Sequence, residues 1–317
     1  MRIGLALLFF LVLQLSVRGQ QTPQYSHYVF NQFQLNPAVA GSKPCLDLRF
    51  GFRNQWAGFG EGPKTQFGSI HSAVGRKSEK ATNWHGLGVK FETDQAARFR
   101  QSMVAIAYAY HFQMSREMYA SVGLFVGFNQ YRLDLTNALV APNDPVLDEF
   151  QQNNLLVPDI TPGFWMHNED FFLGVSVKHI MGNTLLESTG DDDVPAEAKL
   201  RPHFNLTSGK AYEMSKTVNF IPSLRVSYVS AAPLAFDVNA FVDFDNTLAL
   251  GLGYRNGDAL IGMFKLNFAK HFSLGYAYDF TISDMSTVSN STHEVILGII
   301  ACPSKSGGRH TPCAAYD

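Results

Sequence analysis

The sequence has little charge and few cysteines for its length. Only 16% of its 317 residues are charged, whereas an ordinary soluble domain has about 25%. Basic and acidic residues nearly balance at a net charge of -2, which argues against a basic surface for nucleic acid. The three cysteines show no zinc-ligand spacing. Hydrophobic and aromatic residues instead make up 46% and 13% of the chain, which excludes intrinsic disorder and, with 26 Gly and 26 Phe, favours a β-rich protein.

Motifs of the common enzyme classes are also missing. The sequence has no G-x-S-x-G, no H-E-x-x-H and no P-loop, because Gly58–Thr65 (GFGEGPKT) lacks the Gly-Lys-Thr order that holds a phosphate. The acidic stretch Glu187–Asp193 lacks the alternating ligands of an EF-hand, so a solvated loop is favoured over a calcium site. The sequence therefore predicts no catalytic residue, no cofactor and no metal site. A hydrolase with catalytic residues at a barrel rim is a third hypothesis, after the two functions given below.

The first residues predict export. Arg2 precedes the apolar run Ile3–Leu13, and Val17 and Gly19 are small enough for the -3 and -1 positions of a cleavage site. The run has 11 residues, too few for a transmembrane anchor, which needs roughly 20. No window of 18 apolar residues occurs beyond this region. We predict a signal peptide at residues 1–19 and a mature protein without a membrane helix.

From Cys45 onward the hydrophobic pattern repeats every two residues. In residues 272–280 (FSLGYAYDF), large apolar side chains alternate with small or polar ones. Likewise, one face carries Val122, Leu124, Val126 and Phe128, and the other carries Ser121, Gly123, Gly127 and Asn129. Stretches of about nine to eleven residues have this character, which is the length of a membrane-spanning strand. Large apolar residues on one face and small or polar residues on the other are typical of outer-membrane β-barrels. A soluble two-sheet sandwich also alternates, but one of this length would carry more charge on its surface.

We predict an all-β fold: a transmembrane antiparallel β-barrel of about fourteen strands, with twelve as the alternative. The strands begin near Cys45, Lys64, His85, Phe99, Met118, Pro158, Asp170, Arg201, Val218, Ala235, Leu248, Ala259, Phe272 and His293. The longest connections follow odd-numbered strands, at Leu133–Val157, Met181–Leu200 and Thr281–Thr292. This alternation is typical of short periplasmic turns and longer outer loops.

The chain is thereby divided into four regions. They are the signal peptide 1–19, an N-terminal periplasmic or plug segment 20–44, the β-barrel 45–301 and a flexible periplasmic tail 302–317. The N-terminal segment is too aromatic to remain free in solution, so it should pack against the barrel lumen as a plug or against a periplasmic partner as a docking arm. The plug is the favoured interpretation.

Several motifs resemble those of one family. Residues 23–41 read PQYSHYVFNQFQLNPAVAG, residues 53–65 read RNQWAGFGEGPKT, and YDF and HE occur at 278–280 and 293–294. This pattern resembles the PorP/SprF family of the type IX secretion and gliding systems, from Pro23 to about Ile300. The matching positions are candidate partner-contact or plug residues: Pro23, Gln24, Tyr25, Ser26, Tyr28, Phe30, Asn31, Leu35, Asn36, Pro37, Ala38, Gly41, Arg53, Asn54, Gln55, Trp56, Pro63, Lys64 and Thr65. The departures from the family pattern are His27, Val29 and Val39.

The resemblance implies an outer-membrane barrel without enzymatic activity. Some members of the family are required for the secretion apparatus and are linked to its periplasmic ring through a peptidoglycan-binding lipoprotein. Others are paired with a large secreted surface adhesin, which they help to export or to hold at the cell surface. The expected partners are therefore outer-membrane lipid and one or both of these protein classes. The alternative function is a diffusion channel for small solutes, with the N-terminal segment as its plug.

Barrel closure gives two further expectations, because it places the last strand beside the first. Glu294 is expected to pair with Arg49 or Arg53, in a lumen whose mixed charges favour a filled interior over a charged eyelet. Cys45 and Cys302 are expected on the periplasmic rim of neighbouring strands, where a disulfide can form if their Cα atoms are within about 7 Å. Cys313, in the tail, is the rival partner for Cys302.

Overall fold

The computed structural model describes residues 22–76, 81–134, 155–188, 196–230, 232–269, 271–289 and 291–301. Seventeen β-strands form within these ranges: β1 (Leu46–Asn54), β2 (Lys64–Val74), β3 (Asn83–Ala96), β4 (Phe99–Gln113), β5 (Tyr119–Leu133), β6 (Leu155–His167), β7 (Phe171–Lys178), β8 (Thr184–Ser188), β9 (Ala196–Lys199), β10 (His203–Lys210), β11 (Tyr212–Ser215), β12 (Val218–Val229), β13 (Ala235–Phe244), β14 (Leu248–Arg255), β15 (Ala259–Phe268), β16 (Phe272–Thr281) and β17 (Ser291–Ala301). One α-helical turn (Gln32–Leu35) and 3-10 turns at Tyr28–Asn31, Pro37–Val39 and Asp284–Thr287 complete the elements. No helix in these ranges is long and apolar enough to cross a membrane.

Fourteen of the strands close into one antiparallel barrel. Strands β1 to β7 follow one another around the wall, β10 joins β7 to β12, and β17 returns to pair with β1. The prediction of fourteen strands is confirmed, and each begins within three residues of its predicted start, with the largest offset at Leu155 instead of Pro158. Sequence reasoning missed the separate hairpin of β8 and β9, which lies in the connection predicted to be a plain loop.

The two faces of the wall differ as the alternation requires. Outward side chains are apolar and exposed, with Leu252 at 75%, Ile106 at 63% and Val104 at 58%. Inward neighbours such as Ala105 and Ala107 are small and buried. So many exposed large apolar side chains would be unfavourable in water, so this outer face is suited to lipid.

The two ends of the barrel carry connections of different length. Residues 134–154, 179–202 and 282–290 join strands at one end, which we call the loop end. Residues 168–170 and 245–247 join strands at the other, which we call the turn end. In outer-membrane barrels the short turns face the periplasm and the long loops face outside. On this rule, β1 begins and β17 ends on the periplasmic side.

Cys45, immediately before β1, is disulfide-bonded, and the other two cysteines lie outside the described residues. Because Leu46 pairs with Ala301 across the β1–β17 seam, we predict that Cys302 is the partner. Mass spectrometry of a digest without reduction should yield a linked Cys45–Cys302 peptide. The variant Cys313→Ser should retain this peptide and Cys302→Ser should lose it, whereas a Cys45–Cys313 peptide would contradict the prediction.

The wall is incompletely paired between β6 and β7. β6 pairs with β5 over its full length, Leu155–His167, but with β7 only from Gly163 onward. Residues 155–162 have no strand partner on the β7 side within the described chain. Part of this edge is covered from the loop end, where Asn183 Nδ2 donates a hydrogen bond of 2.6 Å to Pro158 O.

Candidate functional site

The residues upstream of β1 lie inside the barrel. We call residues 22–44 the N-terminal segment; all of its residues from Tyr25 to Lys43 are buried. The segment is shaped locally by Asn36, whose side chain accepts a hydrogen bond of 3.0 Å from Ala38 N and so caps the 3-10 turn that begins with Pro37. The amide of Asn36 also donates to Phe164 O at 2.8 Å, which ties this turn to the wall. This is the arrangement expected of a plug.

Aromatic pairs form much of the contact between the N-terminal segment and the wall. Ring centroids are 4.7 Å apart for Tyr25 and Phe67, 4.8 Å for Phe30 and Phe241, and 5.2 Å for Phe33 and Phe125. All three pairs are edge-to-face, the geometry that aromatic quadrupoles favour. The main hydrophobic core of the protein therefore lies in the lumen, between the N-terminal segment and the inward side chains of the strands.

Near the loop end, the start of the segment is held by polar and charged residues that we call the Ser26 network: Ser26, His27, Arg53, Arg255, Asp279 and Glu294. The backbone N–H groups of Ser26 and His27 each donate to Glu294 at 2.9 Å. The Ser26 hydroxyl donates to Asp279 at 2.7 Å. It accepts from Arg53 at 2.8 Å and from Arg255 at 3.1 Å. Charge-assisted hydrogen bonds of this kind are about twice as strong as neutral ones.

The network joins residues from separate family motifs. Ser26 belongs to PQYS, Arg53 to RNQW, Asp279 to YDF and Glu294 to HE. The predicted pairing of Glu294 with Arg53 is confirmed at 3.1 Å, because the two residues are directly opposite in the β1–β17 register. The alternative, Arg49, pairs instead with Asp47 at 2.8 Å near the turn end.

Sequence reasoning did not identify Arg255 as a residue of the lumen. Arg255 is the last residue of β14 and is buried, with Asp237 at 3.1 Å and Asp279 at 2.9 Å. A signal was present, since Arg255 shares its face with the small residues Gly251 and Gly253 and therefore points inward. Arg225 extends the network, with Nη2 2.8 Å from Asp237.

A second cluster of charges lies at mid-height in the lumen. Lys90 Nζ donates to Gln34 O at 2.8 Å, and Lys178 lies 3.8 Å from Glu92. The hydroxyl of Tyr25 donates to Glu92. These bonds hold Tyr25 and Gln34 of the N-terminal segment against the wall.

At the turn end, the segment is bound to the wall by hydrogen bonds to its backbone carbonyls. Ser121 Oγ donates to Ala38 O, His111 Nε2 to Ala40 O and Trp84 Nε1 to Gly41 O, each at 2.7 Å. Gly41 has φ +72°, and a Cβ there would lie 2.7 Å from the Cα of Gly86 on the wall. Two glycines are thus required where the segment and β3 come together.

Substitution of Gly86 should displace this part of the segment. A Cβ at Gly86 would lie 1.8 Å from Ala40 O, a backbone atom that cannot rotate away. We expect Gly86→Val to cost at least about 1–3 kcal/mol, measured as thermal unfolding in detergent. The matched control is Gly262→Ala, because a Cβ at Gly262 meets nothing within 4 Å and should change stability by less than about 0.5 kcal/mol. Equal effects would contradict the packing described.

The RNQW and PKT residues shape the connection between β1 and β2. The N–H of Gln55 donates to Pro63 O at 2.8 Å, and that of Trp56 to Thr292 Oγ1 at 3.0 Å. Thr65 Oγ1 donates to Asp94 at 2.6 Å. Trp56 has φ +53°, an uncommon conformation for a bulky residue. This part of the motif therefore fixes the loop-end connection against β17.

Most of the candidate residues fall into two groups. Those buried in the lumen are Tyr25, Ser26, Tyr28, Phe30, Asn31, Leu35, Asn36, Pro37, Ala38, Gly41 and Arg53; those around the loop end are Asn54, Gln55, Trp56, Pro63, Lys64 and Thr65. Pro23 and Gln24 are half-buried at the beginning of the N-terminal segment. In the part of the chain that the structure describes, no group of three or more His, Cys, Asp or Glu side chains is placed to hold a metal ion.

The fold and the lumen define a class of protein: an outer-membrane β-barrel occupied by its own N-terminal segment. The model of the family described as type IX secretion system membrane protein PorP/SprF matches residues 17–299. The chain belongs to this family, and family and fold together indicate the outer membrane. The search of curated proteins found no match.

Two solved structures share the fold. The toluene transporter TbuX of Ralstonia pickettii has a TM-score of 0.52 at 10% identity, covering 86% of this chain and 93% of that one. The monoaromatic hydrocarbon channel CymD has a TM-score of 0.51 at 12% identity, with the same coverage of 86% and 93%. At these identities the likeness concerns the architecture alone.

Proposed function

We propose that the protein is a non-enzymatic component of the type IX secretion and gliding machinery, supporting the secretion or surface attachment of other proteins. Family membership supports the assignment to this machinery. One class of partner would be components of the periplasmic ring, including a peptidoglycan-binding lipoprotein. The other would be a large secreted surface adhesin, and the protein would bind one class or both. The turn end would bind the first class and the loop end the second.

The observation that carries the proposal is the position of the motif residues. Ser26, Arg53 and Asp279 are buried, and they bond to one another across the lumen. A hydrolase would keep its reactive groups within reach of a substrate, and an open pore would leave its charged side chains in water. These residues instead fix a segment of the chain inside the barrel, which suits a protein that binds partners at its two ends.

The test is affinity purification of the chain, tagged after Asp317, from outer membranes in mild detergent. Mass spectrometry should identify a large secreted surface protein or the periplasmic ring lipoproteins among the co-purified proteins. Purification from cells with the untagged chain is the control. A barrel that is recovered alone and conducts ions in planar bilayers would overturn the proposal.

The second candidate is a diffusion channel for small solutes, and the incomplete pairing of β6 with β7 favours it. The unpaired edge at residues 155–162 offers a break in the wall that does not depend on the occupied lumen. Single-channel currents or solute-dependent swelling of liposomes that contain the unmodified protein would support this function. Silence in both measurements would exclude it.

A further inference from the structure

The N-terminal segment passes through the lumen in one direction. Ser26 lies near the loop end, because its partner Arg53 is the second-last residue of β1. Gln34 lies at mid-height, beside Lys90 in the middle of β3. Ala38 lies near the turn end, because its carbonyl accepts a hydrogen bond from Ser121, the third residue of β5, and β5 begins at the turn end. The chain therefore descends from the loop end to the turn end before β1 begins.

Burial decreases ahead of Tyr25, whose side chain still reaches down to Glu92. Thr22, Pro23 and Gln24 are half-buried, whereas every residue from Tyr25 to Lys43 is buried. Exposure thus increases towards the beginning of the chain. Only Asn54 follows Arg53 in β1, and four extended residues reach at most about 13–14 Å, a length sufficient to pass the end of β1.

We infer that the beginning of the N-terminal segment, residues 22–24, is presented at the cell-surface mouth of the barrel and that the Ser26 network holds it there. The direction of the chain is fixed because Glu294 accepts the N–H groups of both Ser26 and His27 at 2.9 Å. The position is fixed because Arg53 and Arg255 both donate to the Ser26 hydroxyl. With the turn end in the periplasm, the length of the lumen separates these residues from the periplasm.

This position selects one class of partner. A protein that contacts residues 22–24 must approach from outside the cell, so these residues serve the secreted surface protein and not the periplasmic ring. That step rests on the proposed function. The position of residues 22–24 does not, and the two are tested separately, since accessibility is measured without any partner.

The test is labelling of intact cells that express the variant Thr22→Lys with a membrane-impermeant amine-reactive biotin, followed by peptide mapping. The chain supplies both references. Lys64 is exposed where β2 begins at the loop end, and Lys216 is exposed in the connection of β11 and β12 at the turn end. We expect position 22 to be labelled on intact cells together with Lys64, while Lys216 is labelled only after the outer membrane is permeabilised.

Labelling of position 22 only after permeabilisation, in parallel with Lys216, would overturn the inference. Should the variant fail to reach the membrane, the unmodified chain answers the same question. A protease added to intact cells should remove residues ahead of Tyr25 and stop there, because the following residues are buried. Survival of residues 22–24 until permeabilisation would contradict the inference even if the surface protein co-purifies.

Discussion

Deletion of residues 24–35 is expected to leave a barrel in the outer membrane and to open its lumen to ions. The wall keeps its own hydrogen bonds, since every barrel strand is paired with neighbouring strands and not with the segment. The deletion removes the aromatic rings that pack on Phe67, Phe125 and Phe241. Water then enters and hydrates the charged side chains of the wall that the segment had covered, Arg53, Arg255, Asp279 and Glu294.

Conductance in planar bilayers measures the effect of this deletion. The unmodified protein should be silent and the deletion variant should show discrete channels, while Gly262→Ala, an outward substitution, should remain silent. The variant should also keep the change in gel migration between unheated and heated samples that indicates a folded barrel. A variant that is absent from the membrane would contradict this expectation, because the segment would then be required for folding.

Replacement of Arg53 by methionine should destabilise the folded protein more than any other single change in the network. Arg53 neutralises Asp279 at 2.8 Å and Glu294 at 3.1 Å, and all three side chains are at most 2% exposed. Asp279 keeps Arg255 at 2.9 Å, but the Glu294 carboxylate loses the arginine that pairs with it among the described residues. A buried charge that loses its partner costs about 3–5 kcal/mol. The measurement is the temperature at which the barrel unfolds in detergent.

Two further variants separate charge from packing. Arg225→Met should cost less, because its partner Asp237 keeps Arg255 at 3.1 Å. In the triple variant Arg53→Met, Asp279→Asn and Glu294→Gln, the carboxylates that need Arg53 are gone, so part of the lost stability should return. Equal destabilisation by Arg53→Met and Arg225→Met, or no recovery in the triple variant, would show that the pairing of charges is not the cause.

The strands were predictable from the sequence because their two faces meet different surroundings. Alternation in β5, where Val122 and Leu124 face out and Ser121 and Gly123 face in, is a local property that survives without knowledge of the rest of the chain. The Arg53–Glu294 pair also followed, since closure of any such barrel places the last strand beside the first. The inward position of Arg255 could also have been predicted, by extending the alternation of β14 to its last residue.

The path of the N-terminal segment was not predictable in this way. Residues 25–43 have no regular period, and their short turns are fixed by contacts with residues far away in the sequence, such as Ala38 with Ser121 and Gly41 with Trp84. Tertiary contacts decide the conformation of such segments. Likewise the β8–β9 hairpin lies outside the barrel sheet, so the alternation expected of a membrane strand does not reveal it.

The Ser26 network has a consequence for the order in which the protein folds. Ser26 is 253 residues from Asp279 and 268 residues from Glu294 along the chain. Contacts of such long range are slow to form, because the chain must first close a large loop. The N-terminal segment, which leaves the cytoplasm first, can therefore be fixed in the lumen only after β16 and β17 have joined the barrel. Its binding in the lumen marks the completion of the barrel.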